Sequence, residues 1–349
     1  MIMRLMGAAM LAASFCFLHG CGKNEEVNVF MYSEYIDPAI VESFEKETGI
    51  KVRINTYENS EDMQAKVQRG GGDSQFDVLV VSDVQVPALV TLKLVQPIDM
   101  NAVPNAQYVD PQFIKAPYDP EGKFTLPYQW GTVGLIFNKE VIKPEDVSWA
   151  AIFDRNQAAG KFILMDSMRD MIGIALKYQG KSMNTKDAKE LEAATDLLLA
   201  AKKSPNFLAF ESGVAGKNRV IANEAVAAIV YNGDAVRDMG KNAAIDFAVP
   251  KEGGVIWTDV MMVTSKTKNA ANAHKFINYI LQPKISAALS NFNRYPTPNR
   301  EALPMIDKVD LTNPRVYPSK ETMQKLDYLT DVGEATGLYD KAWTTLKAR

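Results

Sequence analysis

The sequence predicts an α/β fold of two lobes joined by chain crossings. Three observations predict it. Strand-like and helix-like segments alternate from Val27 onward in the order β-α-β-α-β, which favours a parallel sheet with helices on its faces. The 349 residues suffice for two domains of ordinary size. No Pro/Gly/Ser-rich linker, internal repeat or low-complexity tract divides the chain, so the lobes are not two beads on a string.

Val27 to Tyr32 reads as a strand. Asp37 and Pro38 then open a helix, as N-cap and first helical residue, and Gly49 ends it after Ile40, Val41 and Phe44 recur at helical spacing. Lys51 to Tyr57 alternates as a strand does. Ser60 to Arg69 is a short helix ended by Gly70-Gly71-Gly72, and Phe76 to Val81 is an apolar run of strand length. Further strands are expected at Thr132 to Phe137, Lys161 to Met165, Ala225 to Tyr231, Ile245 to Val249 and Trp257 to Val263. Helices are expected at Asp187 to Lys203, at Asn272 to Leu281 and over Tyr328 to Lys347.

The first residues read as a leader rather than as part of the fold. Arg4 gives a positive start, and Leu5 to Leu18 is an apolar stretch shorter than the ~20 residues that span a bilayer. Leu18-His19-Gly20-Cys21 reads as a lipobox, with cleavage before Cys21 and acylation of its thiol. Residues 1–20 are therefore expected to be a lipoprotein signal peptide and residues 21–26 a polar tether. This leaves a lipid-anchored protein outside the cytoplasm, in the periplasm or at the cell surface. Both cysteines and His19 belong to this leader. His274 is then the sole histidine beyond it, and no thiol remains for disulfides.

Composition excludes several classes. Beyond Cys21 the chain carries 38 basic and 42 acidic residues with no basic tract, so nucleic acid has no electrostatic support as a partner. Gly70-Gly71-Gly72 follows a helix and lacks a downstream Lys-Ser/Thr, so it is a turn and not a phosphate loop. One histidine cannot build a multi-histidine metal site, and His274 is expected at a surface or boundary position. No G-x-S-x-G elbow exists, and nothing selects a catalytic carboxylate pair. No enzyme activity, cofactor or metal is expected.

Carboxylates instead recur beside aromatics at strand ends and turns. Tyr32-Ser33-Glu34-Tyr35 ends the first strand, and Tyr231-Asn232-Gly233-Asp234 ends a buried one. Trp257-Thr258-Asp259 lies at a strand start, and Asp166-Ser167-Met168-Arg169-Asp170 follows a strand. Ligand sites of open α/β sheets form beyond the carboxyl ends of strands. Aromatic faces attract ammonium groups by about 0.5–2 kcal/mol each, and carboxylates bind the same groups by charge-assisted hydrogen bonds. Such a cleft suits a small organic cation.

These residues resemble the spermidine/putrescine-binding proteins of polyamine ABC transporters over roughly Val27 to Leu346. The resemblance rests on Glu34-Tyr35, on Glu45-Lys46-Glu47-Thr48-Gly49-Ile50-Lys51-Val52 and on Pro127-Tyr128-Gln129-Trp130-Gly131. It also rests on Pro250-Lys251-Glu252-Gly253-Gly254, Trp257-Thr258-Asp259, Tyr295-Pro296-Thr297-Pro298-Asn299 and Asp331-Val332-Gly333. It implies a type II periplasmic-binding-protein-like fold, with the ligand cleft between lobes of 27–134 plus 260–300 and 135–259 plus 301–349. It further implies capture of a polyamine by a monomer for an ABC permease.

Carried over by resemblance, Tyr32, Ser33, Glu34 and Tyr35 form one wall of the cleft, and Tyr231, Trp257 and Tyr295 are its other aromatics. Asp259 is the central carboxylate, with Asp170 and Asp234 binding amine ends. Ser167 stands where a carboxylate is usual and Leu329 where a polar residue is usual. Asp83-Val84-Gln85 lacks the family's aromatic or serine pattern. A shorter diamine, agmatine, an amino acid derivative or a polyamine-sensing role thus stay open as alternatives.

Overall fold

The structure, a computed structural model, describes residues 25–58, 60–70, 75–154 and 160–348. The leader, Cys21 and the start of the tether lie outside the described residues, as do Gly71 and Gly72. Among the described residues no helix is long and apolar enough to cross a membrane.

The described chain begins with β1 (Glu26–Tyr32), α1 (Pro38–Thr48), β2 (Lys51–Tyr57), α2 (Ser60–Arg69) and β3 (Val78–Ser82). β1 pairs in parallel with β2 and β3, as the alternating order predicts. The capping of α1 follows the sequence signals. The Asp37 side chain accepts the Ala39 N–H, Pro38 takes the first turn, and Gly49 closes the helix at φ 73°. β1 shows the period-2 logic of a sheet covered on both faces. Val29 and Met31 pack with Ile40 and Phe44, whereas Phe30 packs with Tyr57, Met63 and Phe76.

α3 (Val86–Thr91) and β4 (Val95–Gln96) lead to β5, which runs from Leu126 to Asn138. The Pro127-Tyr128-Gln129-Trp130-Gly131 segment belongs to this strand, so the expected start at Thr132 is six residues late. The chain continues with α4 (Ala150–Phe153), β6 (Phe162–Met165), α5 (Met168–Tyr178), α6 (Ala188–Lys202) and β7 (Phe207–Glu211). Then come α7 (Gly213–Ile221), β8 (Ala227–Tyr231), α8 (Asn232–Met239) and β9 (Ile245–Ala248). β10 (Gly254–Thr264), α9 (Ala270–Ile280) and α10 (Pro283–Asn293) follow. The chain closes with α11 (Lys308–Leu311), α12 (Lys320–Met323), β11 (Leu326–Tyr328) and α13 (Thr336–Ala348).

β5 and β10 join the halves. The first part of β5 pairs antiparallel with β10 and the second part with β8 and β9. β10 reaches β11 at one end and β3 and β4 at the other. Both strands are buried almost throughout, which suits their mainly apolar sequences and leaves Gln129, Thr132, Thr258 and Asp259 as buried polar positions within them.

Two expectations are corrected. Tyr328 ends strand β11 beside β10, and the terminal helix starts only at Thr336, because Asp331-Val332-Gly333 turns the chain first, with Gly333 at φ 57°. His274 is buried, not at a surface or boundary. Its Nε2 accepts the Asp99 N–H at 2.9 Å and its Nδ1 lies 2.6 Å from the Ala270 carbonyl, so the ring satisfies backbone groups inside the fold.

Candidate functional site

One cavity of about 280 Å³ lies where the carboxyl ends of β1, β3, β6 and β8 meet the middle of β10. All ten residues singled out in the sequence line it: Tyr32, Ser33, Glu34, Tyr35, Asp170, Tyr231, Asp234, Trp257, Asp259 and Tyr295. Parallel strands within each lobe place their ends on one side, so residues distant in sequence converge. Glu34 takes a left-handed conformation (φ 54°), which turns the chain sharply out of β1 and brings Tyr35 back to the wall.

Five rings run edge-to-face along the cavity. Tyr32 meets Tyr35 at 6.0 Å, Tyr35 meets Tyr295 at 5.8 Å, Tyr295 meets Trp257 at 5.2 Å, and Trp257 meets Tyr231 at 5.8 Å. This geometry is the favourable one for aromatic quadrupoles and carries the wall from the end of β1 to the end of β8. The Tyr128 hydroxyl fixes its start by donating to the Tyr35 carbonyl at 2.8 Å. Two glycines permit the packing. A Cβ on Gly233 would sit 2.4 Å from the Tyr295 ring, and one on Gly131 would sit 2.4 Å from Trp257.

Among the described residues, seven carboxylates line the cavity (Glu34, Glu58, Asp83, Asp166, Asp170, Asp234 and Asp259) against a single cation, Arg169. Asp259 sits at an irregularity where the β5 register shifts, a feature that re-aims a side chain in a strand. Burial pushes its carboxyl up to about 7, with nearby Asp170 adding to the rise and Tyr35 opposing it. The Tyr35 hydroxyl faces this carboxyl yet completes no hydrogen bond of normal geometry, and neither does the Trp257 Nε1–H. Among the described residues no Lys or Arg forms an ion pair with Asp259. Asp170 Oδ2 accepts from Ser167 Oγ at 2.5 Å and from the Tyr231 hydroxyl at 3.2 Å. Burial also raises Asp234, against the opposing pull of Arg237 and Lys217.

The sequence reading passed over Asp83 as a site residue. It is buried at the end of β3 and pushed up to about 8 by that burial. Its signal was an acid placed directly after an apolar strand. Arg169 lies in the cavity wall but is held from behind, donating to Asn184 Oδ1 and the Thr330 carbonyl. Asp166 is engaged by Lys347 at 2.8 Å. Leu329 also lines the wall and touches the space beside Gly173. Among the described residues no three His, Cys, Asp or Glu side chains are gathered as a metal ion requires. Chemically, the arrangement offers hydrogen-bond acceptors and ring faces to a cation.

Residues 39–314 match the family described as bacterial extracellular solute-binding protein. The chain is 32% identical to the spermidine/putrescine-binding periplasmic protein of Escherichia coli (strain K12), covering 99% of this chain and 97% of that protein. It is 30% identical to the putrescine-binding periplasmic protein PotF of the same organism, covering 99% and 96%. The solved structure of the TpPotD lipoprotein of Treponema pallidum superposes with a TM-score of 0.83 at 26% identity, covering 93% of this chain and all of that one. These relatives are transport substrate-binding proteins and share the two-lobed fold.

Proposed function

The chain belongs to the bacterial extracellular solute-binding proteins, and from that premise we propose that it captures a polyamine of the putrescine or spermidine class and delivers it to an ABC permease. The observation that carries this reading is the charge around the cavity: seven carboxylates face one arginine, and a run of aromatic rings lies among them. A multiply charged, flexible amine meets both demands. Its ammonium groups replace water hydrogen bonds with charge-assisted ones, while its methylenes pack on rings.

In this reading Asp259 anchors an ammonium at the centre, and Asp170 and Asp234 hold the ends. Trp257, Tyr231 and Tyr32 cover the methylenes, with Ser33, Glu34, Tyr35 and Tyr295 completing the walls. The lobes, 27–134 with 260–300 and 135–259 with 301–349, close over the ligand about the β5–β10 pair. Cys21 carries the lipid that keeps the monomer at the membrane beside its permease, in the periplasm or at the cell surface. Nothing in this role calls for catalysis.

A thermal-shift screen against putrescine, cadaverine, agmatine, spermidine, spermine and amino acids tests the reading. Ligand at 100 times its dissociation constant adds about 2.7 kcal/mol of stability. A shift with putrescine or spermidine is expected. Response to amino acids alone, by folded protein freed of co-purified ligand, would overturn it.

A further inference from the structure

Arg237 is not part of the cavity lining, yet it reaches two residues that are. From α8 its Nη2 donates to Glu34 Oε2 at 2.9 Å and stands 4.0 Å from Asp234 Oδ1, one turn earlier on the same helix. Glu34 lies on the turn after β1, so this ion pair joins the two sides of the cleft. The neighbouring acid Asp238 lies 3.9 Å from the Arg237 Nε and is also engaged by Lys217 and Lys241. The Nη2 side of the guanidinium, with its hydrogen bond to Glu34, faces the Glu34–Asp234 end. The opposite holds at Asp259, which among the described residues has no ion pair.

We propose that Arg237 is a specificity-determining residue, a resident cation that takes the place of a further ligand ammonium at the Glu34–Asp234 end, so that the site selects a diamine over a triamine. The inference rests on the polyamine reading above and narrows it. Glu34 and Asp234 together carry two negative charges, and Arg237 leaves one. A diamine satisfies Asp259 and one end with its two ammonium groups. A triamine must place its third ammonium against a guanidinium that already uses the same oxygens, and like charges at such range repel.

The test is calorimetric titration of putrescine and spermidine into the protein and its Arg237→Gln variant. Wild type is expected to favour putrescine. Arg237→Gln is expected to strengthen spermidine binding by about tenfold and to move putrescine by less than about threefold. Arg237→Lys keeps the charge and should keep the wild-type preference, which separates a charge effect from a folding defect. An unchanged spermidine-to-putrescine ratio in folded Arg237→Gln overturns the inference while leaving polyamine binding intact. Failure of every variant, wild type included, to bind either amine overturns the underlying reading and this inference with it.

Discussion

The Asp83 carboxylate accepts the Thr258 backbone N–H at 3.0 Å, so an acid at the end of β3 holds the residue that precedes Asp259. Its other oxygen accepts the Val84 N–H at 2.8 Å and the Ser82 hydroxyl at 3.1 Å. Asp83 is therefore a positioning residue for the central carboxylate of the cavity, and it pays for this with its own desolvation. Asp83→Ala should leave the buried Thr258 N–H and the part-buried Val84 N–H without this acceptor and cost about 1–3 kcal/mol, read by chemical denaturation. Ligand affinity should fall with it, because Asp259 loses its anchored neighbour. Stability equal to wild type would show that the three hydrogen bonds contribute nothing.

Asp259→Asn keeps the size of the side chain and removes its charge. A buried ammonium would then lose its central partner, so affinity for the best polyamine should drop by about tenfold or more. The folded protein should be retained, since among the described residues no ion pair to Asp259 is broken. Calorimetry giving an unchanged dissociation constant would remove Asp259 from the binding role.

The raised carboxyls set the pH response of the empty protein. Asp259 at about 7 and Asp83 at about 8 hold protons that an unfolded chain releases near 4. Between these limits the native state binds more protons than the unfolded one, so stability falls as pH rises. The groups whose carboxyls are lowered, such as Asp238 beside Lys217, act below pH 4 and do not enter this window. The unfolding midpoint should fall by at least about 4 °C from pH 5 to pH 8. Binding has the opposite slope, because an ammonium needs the ionised Asp259, and aliphatic amines stay protonated up to about pH 10. Affinity should therefore rise from pH 5.5 to 8. Affinity that is flat over this range would mean that Asp259 is ionised throughout.

Much of this was legible because local chemistry and fold agree. Asp37, Pro38 and Gly49 bound their helix by capping alone, and the apolar strands needed only period and length. The strand-end clusters were legible as a site because parallel strands bring their carboxyl ends together. The misses were tertiary. The length of β5 is hidden by Pro127 and Gly131, residues disfavoured inside strands, which here sit within a long strand paired to β10. Tyr328 looked helical until β11 formed against β10. Asp83 offered only its place directly after an apolar strand, and Arg237 carries no local signature. One is defined by a backbone amide 175 residues away and the other by a carboxylate 203 residues away.

Gly233 tests whether the aromatic wall depends on close backbone approach. Its φ is not left-handed, so the residue is not demanded by the backbone of α8. It is demanded by Tyr295, whose ring atoms would lie 2.4–2.6 Å from an added Cβ. Tyr295 is held against Trp257 and Tyr35, so it cannot yield without disturbing both. Gly233→Ala should gain helix propensity, worth up to about 1 kcal/mol, and lose more through overpacking, about 1–3 kcal/mol. The displaced ring should also narrow the cavity and weaken polyamine binding. Melting and titration of the same preparation check both effects. A variant as stable and as tight as wild type would mean that the wall adjusts freely, and that its edge-to-face geometry does not set the fit.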